Sequence, residues 1–221
     1  MGAFAGLSAF FDGKIVDYAV RYLYDESNIM ILKGDKKELE KHHIQIYKNL
    51  LSCRHHSDSR TPIQYGQDLV ASWVFEDYFL NEMVNSDFTI DLSGADKNRT
   101  ILPNQRTSTS SDYTITTSIG TTLNMELVND YTGFWARTHT LHLRDNKYLS
   151  LQRNRCLLLA IALTENVRKY SLFDFRKEIP ARYIQSHLPY GNKPAYELSL
   201  PQNMLFEFST DDIKQRITNI A

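Results

Sequence analysis

Two cysteines in 221 residues, Cys53 and Cys156, cannot build a disulfide framework, and neither belongs to a pair with metal-binding spacing. Free, buried thiols in a reducing compartment are the expectation. Cys53 with His55 and His56 matches no structural zinc pattern and has no fourth ligand. Excess charge is also missing: 25 Lys and Arg face 26 Asp and Glu, a net charge of −1. That excludes wholesale electrostatic attraction to nucleic acid, so any basic surface must be local. No apolar run approaches a membrane span. The apolar start, Met1 to Phe11, has no basic segment before it and is interrupted by Asp12, so it reads as a helix start rather than a signal peptide. No Walker loop, dinucleotide fingerprint or Gly-x-Ser-x-Gly elbow occurs, which argues against ATP or NAD use and leaves a serine triad unsupported. No internal repeat is present. What remains is ordinary globular composition, 42% hydrophobic and 23% charged, in a chain long enough for a substantial core. The expectation is a cytoplasmic protein without membrane contact.

Helical spacing dominates the first third. Apolar residues at Phe11, Ile15, Tyr18, Ala19, Tyr22 and Leu23 predict a helix within 5–24, and Asp35 with Glu38 predicts a capped helix over 35–51. The polar segment 52–62 reads as a loop, and the strongest helix follows over 66–84, with Leu69, Val70, Trp73, Val74, Phe75, Tyr78, Phe79, Leu80 and Met83 as its apolar stripe. The pattern then turns to strands: 88–92, 113–117, 123–130, 156–163 and 170–175, the last two joined by a turn at Glu165-Asn166. The unbroken run Leu157 to Leu163 predicts a central strand covered on both faces. Edge strands are expected at 195–200 and 204–208, then a helix capped by Ser209 or Thr210 and running through Ile220. The fold class is therefore α/β (α+β), with a mixed sheet flanked by helices and an N-terminal helical arm over 1–60. The core occupies 61–221, unless 1–221 is one continuous domain.

Within this plan two acids stand out. Asp112 opens one strand, and Glu126 lies inside the next, sharing a face with Val128 and Asp130. Neither face of that strand is cleanly apolar, and a charge within a half-buried strand needs a partner or a metal. Two such carboxylates form a ligand set for a hard divalent cation. The plainer alternative is that Asp112 caps a turn and Glu126 faces solvent on an edge strand. Upstream, Glu76 sits among bulky apolar residues of the strong helix. Downstream, Tyr131-Thr132-Gly133-Phe134-Trp135 and Leu143-Arg144-Asp145-Asn146-Lys147-Tyr148 mix aromatics and cations in a way that suits a phosphate- or base-facing connection.

Ser111-Asp112 followed by Glu126-Leu127-Val128, with Glu76 in a preceding helix, resembles the PD-(D/E)XK nuclease superfamily, in particular type II restriction endonucleases. The resemblance spans roughly 66–175. It implies a restriction-endonuclease-like core and Mg²⁺ held by Asp112, Glu126 and the Leu127 carbonyl, with Glu76 as a further acid. It implies cleavage of duplex DNA, and a homodimer matching a twofold site. The family carries a lysine where this chain has Val128. The amine then comes from elsewhere, Lys147 first and Lys97 second; or metal and substrate phosphate activate the water alone; or the chain is an inactive variant; or Asp130 replaces one of the acids. Candidate DNA contacts are Arg54, His55, Arg60, Arg99, Arg106, Trp135, Arg137 and Arg144. Two other readings compete: a non-catalytic DNA-binding protein on a nuclease scaffold, which Val128 favours, and an RNA-directed nuclease whose 131–135 loop stacks unpaired bases.

Overall fold

The computed structural model describes residues 2–53, 60–84, 88–94, 97–103 and 111–221. The chain divides into two compact units, one of residues 1–81 with 98–107 and the other of 82–97 with 108–221. Among the described residues no helix is long and apolar enough to cross a membrane.

The first unit is helical. The helix expected over 5–24 is two, α1 (Ala3–Phe10) and α2 (Ile15–Leu23), because Asp12 and Gly13 both take positive φ and break the run. A third, α3 (Glu26–Lys33), starts on Asp25, whose carboxylate accepts the Ser27 N–H at 2.8 Å, and stops at Gly34 with φ +72°. Asp35 caps as expected, but the segment after it splits at His43 into α4 (Lys36–His42) and α5 (Ile44–Cys53). The long helix α6 runs Pro62–Met83. Gly66 is required there: a Cβ at that position would stand 2.8 Å from Ile31 and 3.1 Å from Leu50, so its absence allows α3 and α5 to approach. The segment 98–103 docks on these helices through its backbone. Asn28 and Asn49 donate to the carbonyls of Arg99 and Ile101, and the Cys53 thiol donates to that of Leu102.

The second unit is built on a six-stranded mixed sheet in the order β1-β2-β3-β5-β6-β9. Strands β1 (Phe88–Leu92), β2 (Tyr113–Thr117) and β3 (Thr122–Asp130) form an antiparallel meander. Strand β5 (Leu157–Leu163) then lies parallel to β3, and β6 (Arg168–Asp174) returns antiparallel. All seven residues of β5 are buried, as its apolar run predicts for a central strand. Each fully buried leucine there is worth roughly 1.5–3 kcal/mol of transfer free energy.

A parallel return requires a crossover, and 131–156 supplies one with its own structure. It contains α7 (Phe134–Thr138), β4 (Thr140–Arg144) and α8 (Asp145–Arg153). Strand β4 pairs with β8 (Lys193–Ser199), and β8 with β7 (Ala181–His187), forming a second, three-stranded sheet. Leu141, Leu143 and Leu198 of that sheet, Tyr148 and Leu151 of α8, and Leu158, Ala160 and Phe173 of the large sheet share one apolar cluster. The sequence predicts an edge strand at 195–200 and a connection at 143–148. The former is the central strand of the small sheet, and the latter is the β4–α8 junction. At the far edge, β9 (Phe206–Glu207) is short, and α9 (Thr210–Ile220) starts on Ser209, whose hydroxyl accepts the Asp212 N–H at 3.3 Å.

Candidate metal centre

The β2–β3 register pairs Tyr113 with Met125 and Thr114 with Asn124. Continued one step, it sets Asp112 opposite Glu126, and residues directly opposite share a face. The fourteen-residue separation in sequence thus collapses to one row of the sheet. Asp112 is fixed from both directions. Its carbonyl accepts the N–H groups of Ser93 and Gly94 at 2.9 and 3.2 Å, and its carboxylate accepts the Leu127 N–H at 3.0 Å. In an antiparallel pair a residue directs N–H and C=O to the same neighbour, so the Leu127 carbonyl is directed toward the Asp112 side as well.

Glu126 is 5% exposed, on a strand flanked by β2 and β5. This removes the solvent-facing edge-strand alternative. Burial, then the hydrogen bond and negative charge of Asp112, push its pKa up to about 9, against a smaller opposing pull from Lys147. Its Oε2 is buried and accepts no aligned hydrogen bond among the described residues, while the Lys147 Nζ stands 2.5 Å from it. Burial and the neighbouring Asp112 carboxylate therefore favour the protonated form of Glu126.

Lys147 arrives from the first turn of α8, where Tyr148 and Leu151 anchor the helix in the apolar cluster. Val128, two residues beyond Glu126, packs against that same cluster. Position 128 is therefore a packing position, and the amine near the acids comes from the crossover helix. Asp130 is committed elsewhere. One oxygen accepts from the Thr132 N–H and hydroxyl at 2.8 and 2.6 Å, and the other accepts the Trp135 N–H at 2.9 Å. Those bonds pin the 131–135 turn, in which Gly133 has φ +68°.

The other candidates are dispersed. Glu76 and Arg99, both of the first unit, pair with each other at 2.8 Å, and Arg99 also takes Asp77 at 2.7 Å with its side chain 11% exposed. These bonds spend Arg99 donors inside the unit. Arg60 pairs with Asp68 at 2.6 Å, and its guanidinium stands over Tyr65. Arg54, His55 and Arg106 lie outside the described residues. Trp135 packs against the apolar cluster and is half-buried rather than open for stacking, whereas Phe134 is exposed. Arg137 is exposed and donates to the Thr132 carbonyl at 2.6 Å, and Arg144 is exposed with its guanidinium over the Tyr190 ring. Cys156 is a free, buried thiol, raised to about 11 by burial and next by the Glu126 charge, and so it is unreactive.

A group that sequence reading missed lies on the small sheet. Glu197 accepts two bonds from Arg182, each 2.9 Å, and pairs with His142 Nε2 at 2.9 Å. The three residues come from three strands and are 55 and 15 positions apart, so no local motif marks them.

Chemically, the Asp112–Glu126 row offers hard oxygen donors from neighbouring strands, with a proton to displace and an ammonium beside them. Among the described residues no cluster of three or more His, Cys, Asp or Glu side chains accompanies it. The donor set is two carboxylates and a carbonyl, which suits a cation that keeps several of its waters, as Mg²⁺ does, rather than an all-protein cage. Comparison of the chain with protein-family models and with curated proteins gives no match to either.

Proposed function

We propose that this protein is a Mg²⁺-dependent endodeoxyribonuclease with a restriction-endonuclease-like core, acting on duplex DNA as a homodimer. The observation that carries the reading is the Asp112–Glu126 row with the Lys147 ammonium 2.5 Å from Glu126. The order of elements supports it: a long helix, an antiparallel meander bearing both acids, a crossover helix bearing the lysine, and a parallel strand.

In this reading Asp112, Glu126 and the Leu127 carbonyl hold the cation. A cation held there would supply Lewis-acid polarisation of the scissile phosphate and a lowered pKa for the attacking water. The Leu127 N–H fixes the Asp112 carboxylate so that it does not reorient during the reaction. In this reading Lys147 holds the water and offsets negative charge building on the phosphate, the part that Val128 cannot play. Arg144, three residues before Lys147, contacts a phosphate in this reading.

The test is a comparison of substrates. Plasmid duplex DNA and single-stranded RNA are incubated with the protein in Mg²⁺ and in EDTA. The expected result is DNA cleavage in Mg²⁺ alone. Preferential RNA cleavage would transfer the assignment to an RNA-directed nuclease. Salt-sensitive DNA binding without cleavage under any divalent ion would make the protein a non-catalytic binder.

A further inference from the structure

We infer that Arg182 reads the major-groove edge of a guanine, held in reading position by Glu197 and His142; this rests on the duplex-DNA reading above. On the inner face of the small sheet Leu141, Leu143 and Leu198 enter the core, whereas the opposite face carries a row of His142, Glu197 and Arg182 beside a row of Arg144, Ala195 and Ile184. Across that outer face the register sets His142 opposite Glu197, and Glu197 opposite Arg182. The Arg182 side chain is 70% exposed, yet its Nε and Nη2 both donate to the Glu197 carboxylate at 2.9 Å. A guanidinium carries five N–H donors. With Nε–H and one Nη2–H committed, the Nη1 edge faces away from Glu197 with its donors available.

An exposed ion pair adds little to stability, so strength is a poor account of why a solvent-facing arginine is clamped in this way. The clamp does have a geometric consequence. Arginine loses much rotamer freedom when it binds, and here that loss is already incurred in the free protein. What remains is a rigid planar fork with an outward donor edge, the geometry that pairs with the O6 and N7 acceptors of guanine. Glu197 is in turn held by His142, whose carbonyl accepts the Tyr190 hydroxyl at 2.7 Å. Arg182 is thus the contact residue, and Glu197 and His142 are positioning residues.

The location fits a short recognition site. Arg144 stands one row away on the same face and leads directly into the helix that carries Lys147. Two strand spacings and two residues of rise put Arg182 roughly 12 Å from Arg144, about three or four base-pair steps along duplex DNA. A phosphate could also accept from the same fork, and the experiment separates the two acceptors.

Binding is selected from a random duplex library in EDTA, so the readout does not depend on turnover, and the selected site is then remade with 7-deazaguanine, which lacks the N7 acceptor. The wild-type chain is expected to select a guanine and to bind its 7-deaza analogue roughly 10- to 100-fold more weakly. Arg182→Ala is expected to lose that preference and to be indifferent to the analogue, while its circular dichroism is unchanged. Glu197→Gln is expected to weaken the preference more than the overall affinity, which a purely structural role would not do. If Arg182→Ala selects the same guanine as the parent, the inference is overturned. If it loses affinity equally for all sequences, with a shallower salt dependence, the acceptor is phosphate and the inference is likewise overturned. A wild-type chain that binds no duplex DNA at all overturns the nuclease reading itself.

Discussion

Glu126→Gln and Asp112→Asn are each expected to lower Mg²⁺-dependent cleavage of duplex DNA by about a thousandfold or more. Both variants should fold. Burial already favours the neutral acid at Glu126, and glutamine keeps its shape without a charge to desolvate. Asparagine at 112 retains an oxygen that can accept the Leu127 N–H. The loss is therefore a loss of cation binding rather than of structure, and cleavage assays with circular dichroism on the same samples separate the two. The wild-type chain carries a pH signature of the same cause. A cation must displace the proton that the folded protein holds on Glu126 up to about pH 9. Apparent cation affinity should therefore rise as pH increases from 7 toward 9, by up to about tenfold per unit, and level off above it. Either variant cutting as fast as the parent would sink the assignment of the acids.

Lys147→Met is expected to reduce cleavage by roughly 10²- to 10⁴-fold, the usual contribution of a positioned proton-transfer or charge-balancing group. Cation binding should persist, because both carboxylates remain and lose a competing cation at 2.5 Å from Glu126. Single-turnover cleavage measured beside Mn²⁺ titration distinguishes this pattern from that of the acid variants, in which both properties fall. Val128→Lys in the parent chain should bring no gain, since position 128 packs into the apolar cluster and an ammonium there would have to be buried. A large gain from Val128→Lys would instead mark the parent as a nuclease lacking its amine. A Lys147→Met variant that cleaves at the parental rate would remove Lys147 from the site.

Much of this arrangement is legible in the sequence. The strand that follows Asp112 and the strand that carries Glu126 are legible to within a residue of their ends, because their alternation and flanking turn residues are local signals. The continuous apolar run from Leu157 likewise announces a central strand. Lys147, in the downstream segment, is legible as a first candidate for the amine beside Lys97, but its helix is not. Strand β4 and helix α8 are short, five and nine residues, and their apolar positions, Leu141 and Leu143, then Tyr148 and Leu151, are too few to establish a period. The missed break at Asp12 and Gly13 has a similar origin: helical spacing on either side hides two residues of positive φ. Glu76 shows another limit. Its apolar neighbours suggest a buried acid, but its partner Arg99 lies 23 positions away, and only the folded chain brings the two together. The same holds for Glu197, whose partners come from two other strands.

The most direct test of the central claim is a crystal of the wild-type protein grown with Mn²⁺ and measured for anomalous scattering. The expected result is a peak within about 2.0–2.3 Å of carboxylate oxygens from both Asp112 and Glu126, with Lys147 displaced from its contact with Glu126. No peak in that row at millimolar Mn²⁺, with the Lys147–Glu126 contact intact, would contradict the claim.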